Sequence, residues 1–244
     1  MTVEQNKLIV ALDVETADEA RRLLASLRGL AGMFKIGSQL FTAAGPDFVK
    51  EIVTSGERVF LDLKFHDIPN TVAAAGVEAT RLGISMFNVH ASGGAAMMRR
   101  TAHAVAKCAA TEGRPRPTIL GVTVLTSSDD ATLVEIGVQE KAAATVARLA
   151  QLTANSGLDG VVASAREVSL VRTAVAKPGF IIVTPGVRPS GSNSDDQARV
   201  MSPREAVAAG ADYLVVGRPI IAATDPARAA QMILDEMQSC AAGR

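Results

Sequence analysis

Leu8-Ile9-Val10-Ala11-Leu12-Asp13-Val14-Glu15 is the stretch on which the fold reading turns. Its apolar run reads as a buried strand, and Asp13 ends it. A doubly wound open sheet usually carries a glycine fingerprint after its first strand. Here Leu12-Asp13-Val14-Glu15 stands in that place. Working outward, similar runs recur at Met33–Ile36, Arg58–Leu63, Ser85–Val89, Thr118–Val124, Gly160–Ala163, Phe180–Thr184 and Tyr213–Val216. Between them lie helical spacings such as Ala17/Ala20/Leu24/Leu27, Val146/Leu149/Ala150/Thr153 and Ala230/Ile233/Leu234/Met237. Eight strand–helix pairs without a break in composition predict an α/β fold, a (β/α)8 barrel spanning residues 1–244 as one domain.

Bulk composition narrows the function. With 244 residues, 48% of them hydrophobic, the chain can bury a large core. Lys+Arg and Asp+Glu both number 25, so no net charge draws it to nucleic acid or an anionic membrane. No Trp and one Tyr leave few stacking platforms for single-stranded nucleic acid. Cys108 and Cys240 stand far apart with no C-x-x-C, which argues against a disulfide framework or zinc site. The N-terminal apolar run is too short for a signal peptide, and no stretch approaches transmembrane length. The expectation is a soluble, cytoplasmic protein.

The chemistry concentrates in LDLKFHDIPNT, residues 61–71. On a strand, Asp62 and Lys64 share one face, roughly 7 Å apart at Cα, and Asp67 follows in the loop. An ammonium flanked by carboxylates is a poor Schiff-base nucleophile, which needs a depressed pKa, but a good proton donor to a carbon base. A lone D-x-K also fits a surface ion pair, so the other strand ends decide. They supply Asp13, Lys35, the stretch Asn88-Val89-His90, Thr126, Arg188 and Gly217-Arg218. Such interleaved charges limit the cost of burial and leave a preorganised electrostatic site. Arg188 and Arg218, after strands seven and eight, suit a phosphate, which guanidinium forks bind bidentately. Gly217 lets the backbone approach it closely. His90 reads as partly buried and bonded to backbone, His66 as structural and turned away from Lys64 if the strand continues, and His103 as exposed on a helix. Two stretches break the apolar rhythm, Leu125–Gly137 and Gly186–Arg199. The second follows strand seven, which favours a lid over a passive loop.

The segments FLDLKFHDIPNT, FNVHASGG, VTVLTS, DGVVASA, TPGVRPSG and VVGRPI resemble the orotidine 5'-phosphate decarboxylase family over essentially the whole chain. The resemblance implies a homodimer that uses no metal or organic cofactor and converts orotidine 5'-phosphate to UMP. It also implies roles. Asp13 and Lys35 would hold the ribose hydroxyls, with Lys35 joining the charged array. Asp62 would face the substrate carboxylate, and Lys64 would protonate C6. Asp67, Ile68 and Thr71 would reach the partner's site. Thr126 would contact the pyrimidine, and Gln197 would link base to phosphate. Arg218, the Gly217 backbone and Arg188 would hold the phosphate. Two alternatives stay open. Sister sugar-phosphate decarboxylases or aldolases share the Asp62-x-Lys64-x-x-Asp67 pattern but need Mg2+ and an acidic ligand where Lys35 stands. A non-catalytic nucleotide-binding barrel would be expected to show that pattern eroded.

Overall fold

Alternate residues of each strand face opposite ways, and in this chain the two faces build two separate cores. In the computed structural model, which describes residues 6–189 and 201–238, β1 (Leu8–Ala11) sends Ile9 and Ala11 inward and Leu8 and Val10 outward toward the helices. The other strands are β2 (Met33–Gly37), β3 (Val59–Phe65), β4 (Met86–His90), β5 (Thr118–Val122), β6 (Gly160–Val162), β7 (Ile181–Pro185) and β8 (Tyr213–Val216). All pair in parallel with their sequence neighbours, and β8 returns to β1, so the sheet closes as a (β/α)8 barrel. Strand limits agree with the sequence expectation to within two residues.

Ile9, Met33, Phe60, Met86, Leu120 and Val183 plug the barrel interior. Truncating a buried aromatic such as Phe60 to Ala costs about 3–5 kcal/mol in comparable cores. The outer core lies between strands and helices. It takes Leu24 and Leu27 from α1 (Ala17–Leu27) and Val146, Leu149 and Ala150 from α6 (Ala142–Asn155). From α10 (Pro226–Gln238) it takes Ile233, Leu234 and Met237. These are the periodic positions read from sequence. The layers fit closely: a Cβ on Gly121 of β5 would lie 2.4 Å from Thr153 Oγ1 on α6, so only glycine lets that helix seat. Between them run α2 (Ser38–Thr54), α3 (Pro69–Arg81), α4 (Gly94–Glu112), α5 (Asp130–Glu135), α7 (Val168–Ala174), α8 (Pro203–Ala208) and α9 (Arg218–Ile221).

Local signals set the helix ends. Thr16 and Glu19 form a reciprocal capping box at the start of α1, with bonds of 3.2 and 3.3 Å. The stretch 125–137, read as irregular, in fact contains α5. Asp129 caps it by accepting from the Thr132 backbone N–H at 2.9 Å, so its cluster of Thr, Ser and Asp marks a helix start. Among the described residues, no helix is long and apolar enough to cross a membrane.

Candidate active site

Above the apolar plug, inward-facing positions change from hydrocarbon to charge. Asp13 leaves the end of β1, Lys35 projects from β2, and Asp62 and Lys64 come from β3. Lys35 Nζ lies 2.8 Å from Asp13 Oδ1 and 3.4 Å from Asp62 Oδ2; Lys64 Nζ lies 2.7 Å from Asp62 Oδ1. The result is a row of alternating sign, Asp13–Lys35–Asp62–Lys64. Lys35 and Asp62 are 8% and 9% exposed, so each opposite neighbour offsets a desolvation cost that a lone ion could not meet. Gly37 makes room for the row, since a Cβ there would sit 3.2 Å from Lys35 Nζ.

The row lines a cavity of about 320 Å3. Thr126, Arg188, Gly217 and Arg218 line the same cavity, so eight of the sequence-predicted residues meet in one place. Thr126 occupies the turn closed by the Ser128 N–H donating to the Leu125 carbonyl. Arg188 follows Val187, which bridges to Met201, and the Arg188 N–H donates to the Met201 carbonyl at 3.2 Å. Gln197 lies outside the described residues, as does most of the expected lid.

Asp67, Ile68 and Thr71 are not among the cavity's lining residues. The sequence suggested Lys64 between two carboxylates, but among the described residues of one chain only Asp62 reaches it. Asp67 instead accepts the Ile68 backbone N–H at 2.6 Å, in an exposed loop where Ile68 is 66% exposed. Nor is the β3 backbone the regular strand assumed for Asp62 and Lys64. Lys64 has φ +50°, and among the described residues it is the only non-glycine with positive φ. Leu61 pairs with Phe87 and Phe65 with Val89, so β3 advances four residues while β4 advances two. Such a bulge re-aims side chains, often beside active sites.

β3 ends at Phe65, so His66 does not continue the strand. Its ring centroid lies 5.4 Å from that of His90. The His90 side chain makes no hydrogen bond among the described residues; in place of the expected backbone bond it has this tilted ring contact, at an interplanar angle of 35°. Burial, then the neighbouring His66 and Lys64, push His90 below its ordinary value. His103 is exposed on α4, as expected.

Sequence reasoning gave Asn88 no role. It is 1% exposed and touches two members of the row: its Oδ1 accepts the Lys64 backbone N–H at 2.8 Å, and its Nδ2 donates to Asp62 Oδ1 at 2.7 Å. A signal was present, because Asn88 shares the inward parity of Met86 and stands between the apolar Phe87 and Val89.

A family model described as orotidine 5'-phosphate decarboxylase / HUMPS family matches residues 6–233. The chain belongs to that family. Among curated relatives, orotidine 5'-phosphate decarboxylase of Syntrophotalea carbinolica is 57% identical over 97% of both chains. That of Moorella thermoacetica is 53% identical, covering 96% of this chain and 93% of its own. The crystal structure of orotidine 5'-phosphate decarboxylase from Lactobacillus acidophilus superposes with TM-score 0.83 at 36% identity, covering 94% of this chain and 98% of the other.

Proposed function

We propose that Lys64 is the proton donor in the reaction this chain catalyses, decarboxylation of orotidine 5'-phosphate to UMP. The observation that carries the assignment is the Lys64 ammonium held 2.7 Å from Asp62 inside a cavity also lined by Arg188 and Arg218. When the bond between C6 and the carboxylate breaks, its electron pair stays on C6 and CO2 departs. Lys64 Nζ stabilises that developing charge and delivers its proton to C6, then regains one from solvent. Asp62 faces the departing carboxylate, and like-charge contact is relieved as neutral CO2 forms.

The remaining residues bind. Asp13 and Lys35 hold the ribose hydroxyls. Thr126 contacts the pyrimidine, and Gln197 links base to phosphate. Arg188, Arg218 and the Gly217 backbone take the phosphate, whose distant contacts help drive closure around the ring. No metal is needed in this reading, because a cation beside Lys35 and Lys64 would be repelled. The working unit is a homodimer in which Asp67, Ile68 and Thr71 serve the partner's site. Their exposure, and the lack of any ion pair for Asp67 among the described residues, support that placement. A cytoplasmic location accords with the buried free thiol of Cys108.

The test is loss of orotidine 5'-phosphate absorbance in EDTA, alongside Lys64→Ala. UMP should form without metal in the parent and not in the variant. Near-parental turnover by Lys64→Ala sinks the donor assignment, and dependence on Mg2+ sinks the metal-free mechanism.

A further inference from the structure

We propose that Asn88 is the positioning residue that sets the aim of Lys64, by filling the β3 bulge with its carboxamide. The inference rests on Lys64 being the proton donor. Three observations converge on it. Lys64 sits at φ +50°, a conformation that L-residues hold only when the surroundings over-determine it. The two extra residues of β3 interrupt the ladder with β4, and the Lys64 N–H is taken up by a side chain, Asn88 Oδ1. The same carboxamide donates through Nδ2 to Asp62 Oδ1, the oxygen that also receives Lys64 Nζ.

Asn88 therefore holds Lys64 at both ends, directly at the backbone and through Asp62 at the ammonium. Its orientation is dictated by its partners, since the Lys64 N–H can only donate and the Asp62 carboxylate can only accept. Neither a hydrocarbon nor a hydroxyl of similar size supplies both an acceptor and a donor at that separation. Being 1% exposed, the carboxamide is shielded from bulk water. Asn88 is absent from the residues lining the cavity, so it acts on the substrate only through Asp62 and Lys64.

This geometry predicts a split between turnover and binding. In Asn88→Ala the bulge is free to relax and the ammonium loses its fixed direction. A misplacement of this kind lowers turnover on the order of 100-fold. Affinity for UMP should stay within about threefold, on the same reasoning that uniform binding groups act separately from the transition state. Asn88→Asp is nearly isosteric and keeps the acceptor for the Lys64 N–H, but sets a carboxylate against Asp62. Lys35, Lys64 and the His90 ring also face Asp62, and Asp13 faces it through Lys35. A proton shared between the two carboxylates restores the lost hydrogen bond, so the relative activity of Asn88→Asp should rise as pH is lowered.

The experiment measures kcat, UMP affinity and the pH profile for the parent, Asn88→Ala, Asn88→Asp and Lys64→Ala, with circular dichroism to confirm folding. A large fall in kcat at nearly constant UMP affinity, with the altered acid limb in Asn88→Asp, is the expected result. The proposal is overturned by Asn88→Ala with kcat within twofold of the parent. It is equally overturned if kcat and UMP affinity fall together, or if Asn88→Asp keeps the parental pH profile. Active Lys64→Ala defeats the donor reading itself, whereas inactive Lys64→Ala beside fully active Asn88→Ala defeats this inference alone.

Discussion

The two ends of the barrel use the same chemical parts for different ends. At the N-terminal end, Asp159 precedes β6 and accepts both the Ile119 N–H of β5 and Arg116 Nη1, each at 2.8 Å. Asp212 repeats the arrangement before β8, accepting the Ile182 N–H of β7 and Arg172 Nη2. Arg172 also reaches the Phe180 and Gly210 carbonyls. These carboxylates bond to backbone and guanidinium together, so they tie one strand start to the preceding strand. At the C-terminal end, Asp62 is also satisfied, but by two ammoniums and one carboxamide, all of them side chains. Its neighbour Lys64 holds a left-handed backbone and faces a cavity. Pairing alone therefore does not mark function. Function goes with paired charges that face open space and stand on a backbone that the rest of the fold must hold in place.

The largest expected effect breaks the C-terminal end only. Lys64→Ala removes the donor, and turnover should fall by at least about 1,000-fold, within the range that positioned acids contribute. The melting temperature should change little, since the Lys64 side chain is 36% exposed. A fall in melting temperature matching that of an Asp212 variant would mean that Lys64, too, is a staple.

Asp67 comes next, because it tests whether the site is complete within one chain. Asp67→Ala should lower turnover strongly while leaving each barrel folded, as among the described residues Asp67 bonds only to its own loop backbone. Mixing Asp67→Ala with Lys64→Ala offers a sharper measurement. If Asp67 serves the partner's site, mixed dimers contain one site with neither lesion, and activity should reappear on mixing. Absence of recovery, with subunit exchange demonstrated, places Asp67 in its own barrel's site.

The reverse outcome is expected at the other end. Asp212→Ala strands the Ile182 N–H and leaves the Arg172 guanidinium with carbonyl partners but no carboxylate. Partial exposure of both partners screens the loss, so about 1–2 kcal/mol of stability is at stake. At matched protein concentration, that is a drop of roughly 2–8 °C in melting temperature, with kcat unchanged well below it. Loss of kcat without loss of stability would erase the contrast between the two ends.

How much of this was legible in the sequence divides along the same line. The barrel was readable because strand and helix periods depend on local spacing; Ala230, Ile233, Leu234 and Met237 are all buried as their spacing requires. The charged residues were readable because a polar residue closing an apolar run is conspicuous. The bulge at Lys64 was not, since its register is set by β4, which lies over twenty residues further along the chain. Asn88 went unassigned for a related reason: its parity marks it as inward-facing, but its importance comes from contacts with β3 that its own neighbours do not specify. That Asp67 accepts the N–H of its own loop was not legible either, because spacing places a residue along the chain without saying which way its loop turns. The helix α5 was missed because its cap residues, Asp129 among them, look like loop when the short apolar face behind them holds only Leu133.

The smallest effect concerns His90, where the catalytic end touches the stability of the fold. Burial first, and then His66 and Lys64, hold its pKa below the ordinary 6.5. The unfolded chain therefore binds this proton more readily than the folded one. Its contribution to stability is complete above pH 6.5 and is lost as the pH falls through the lower, folded value. Between pH 7.5 and 5.5 the parent should lose melting temperature, and His90→Gln, which cannot take up that proton, should lose less. The difference should be on the order of 1 °C, because the ring is only half-buried. Identical pH dependence in both proteins would show that the His66–His90 contact carries no linkage, leaving the charged row to hold its geometry without help from the rim above it.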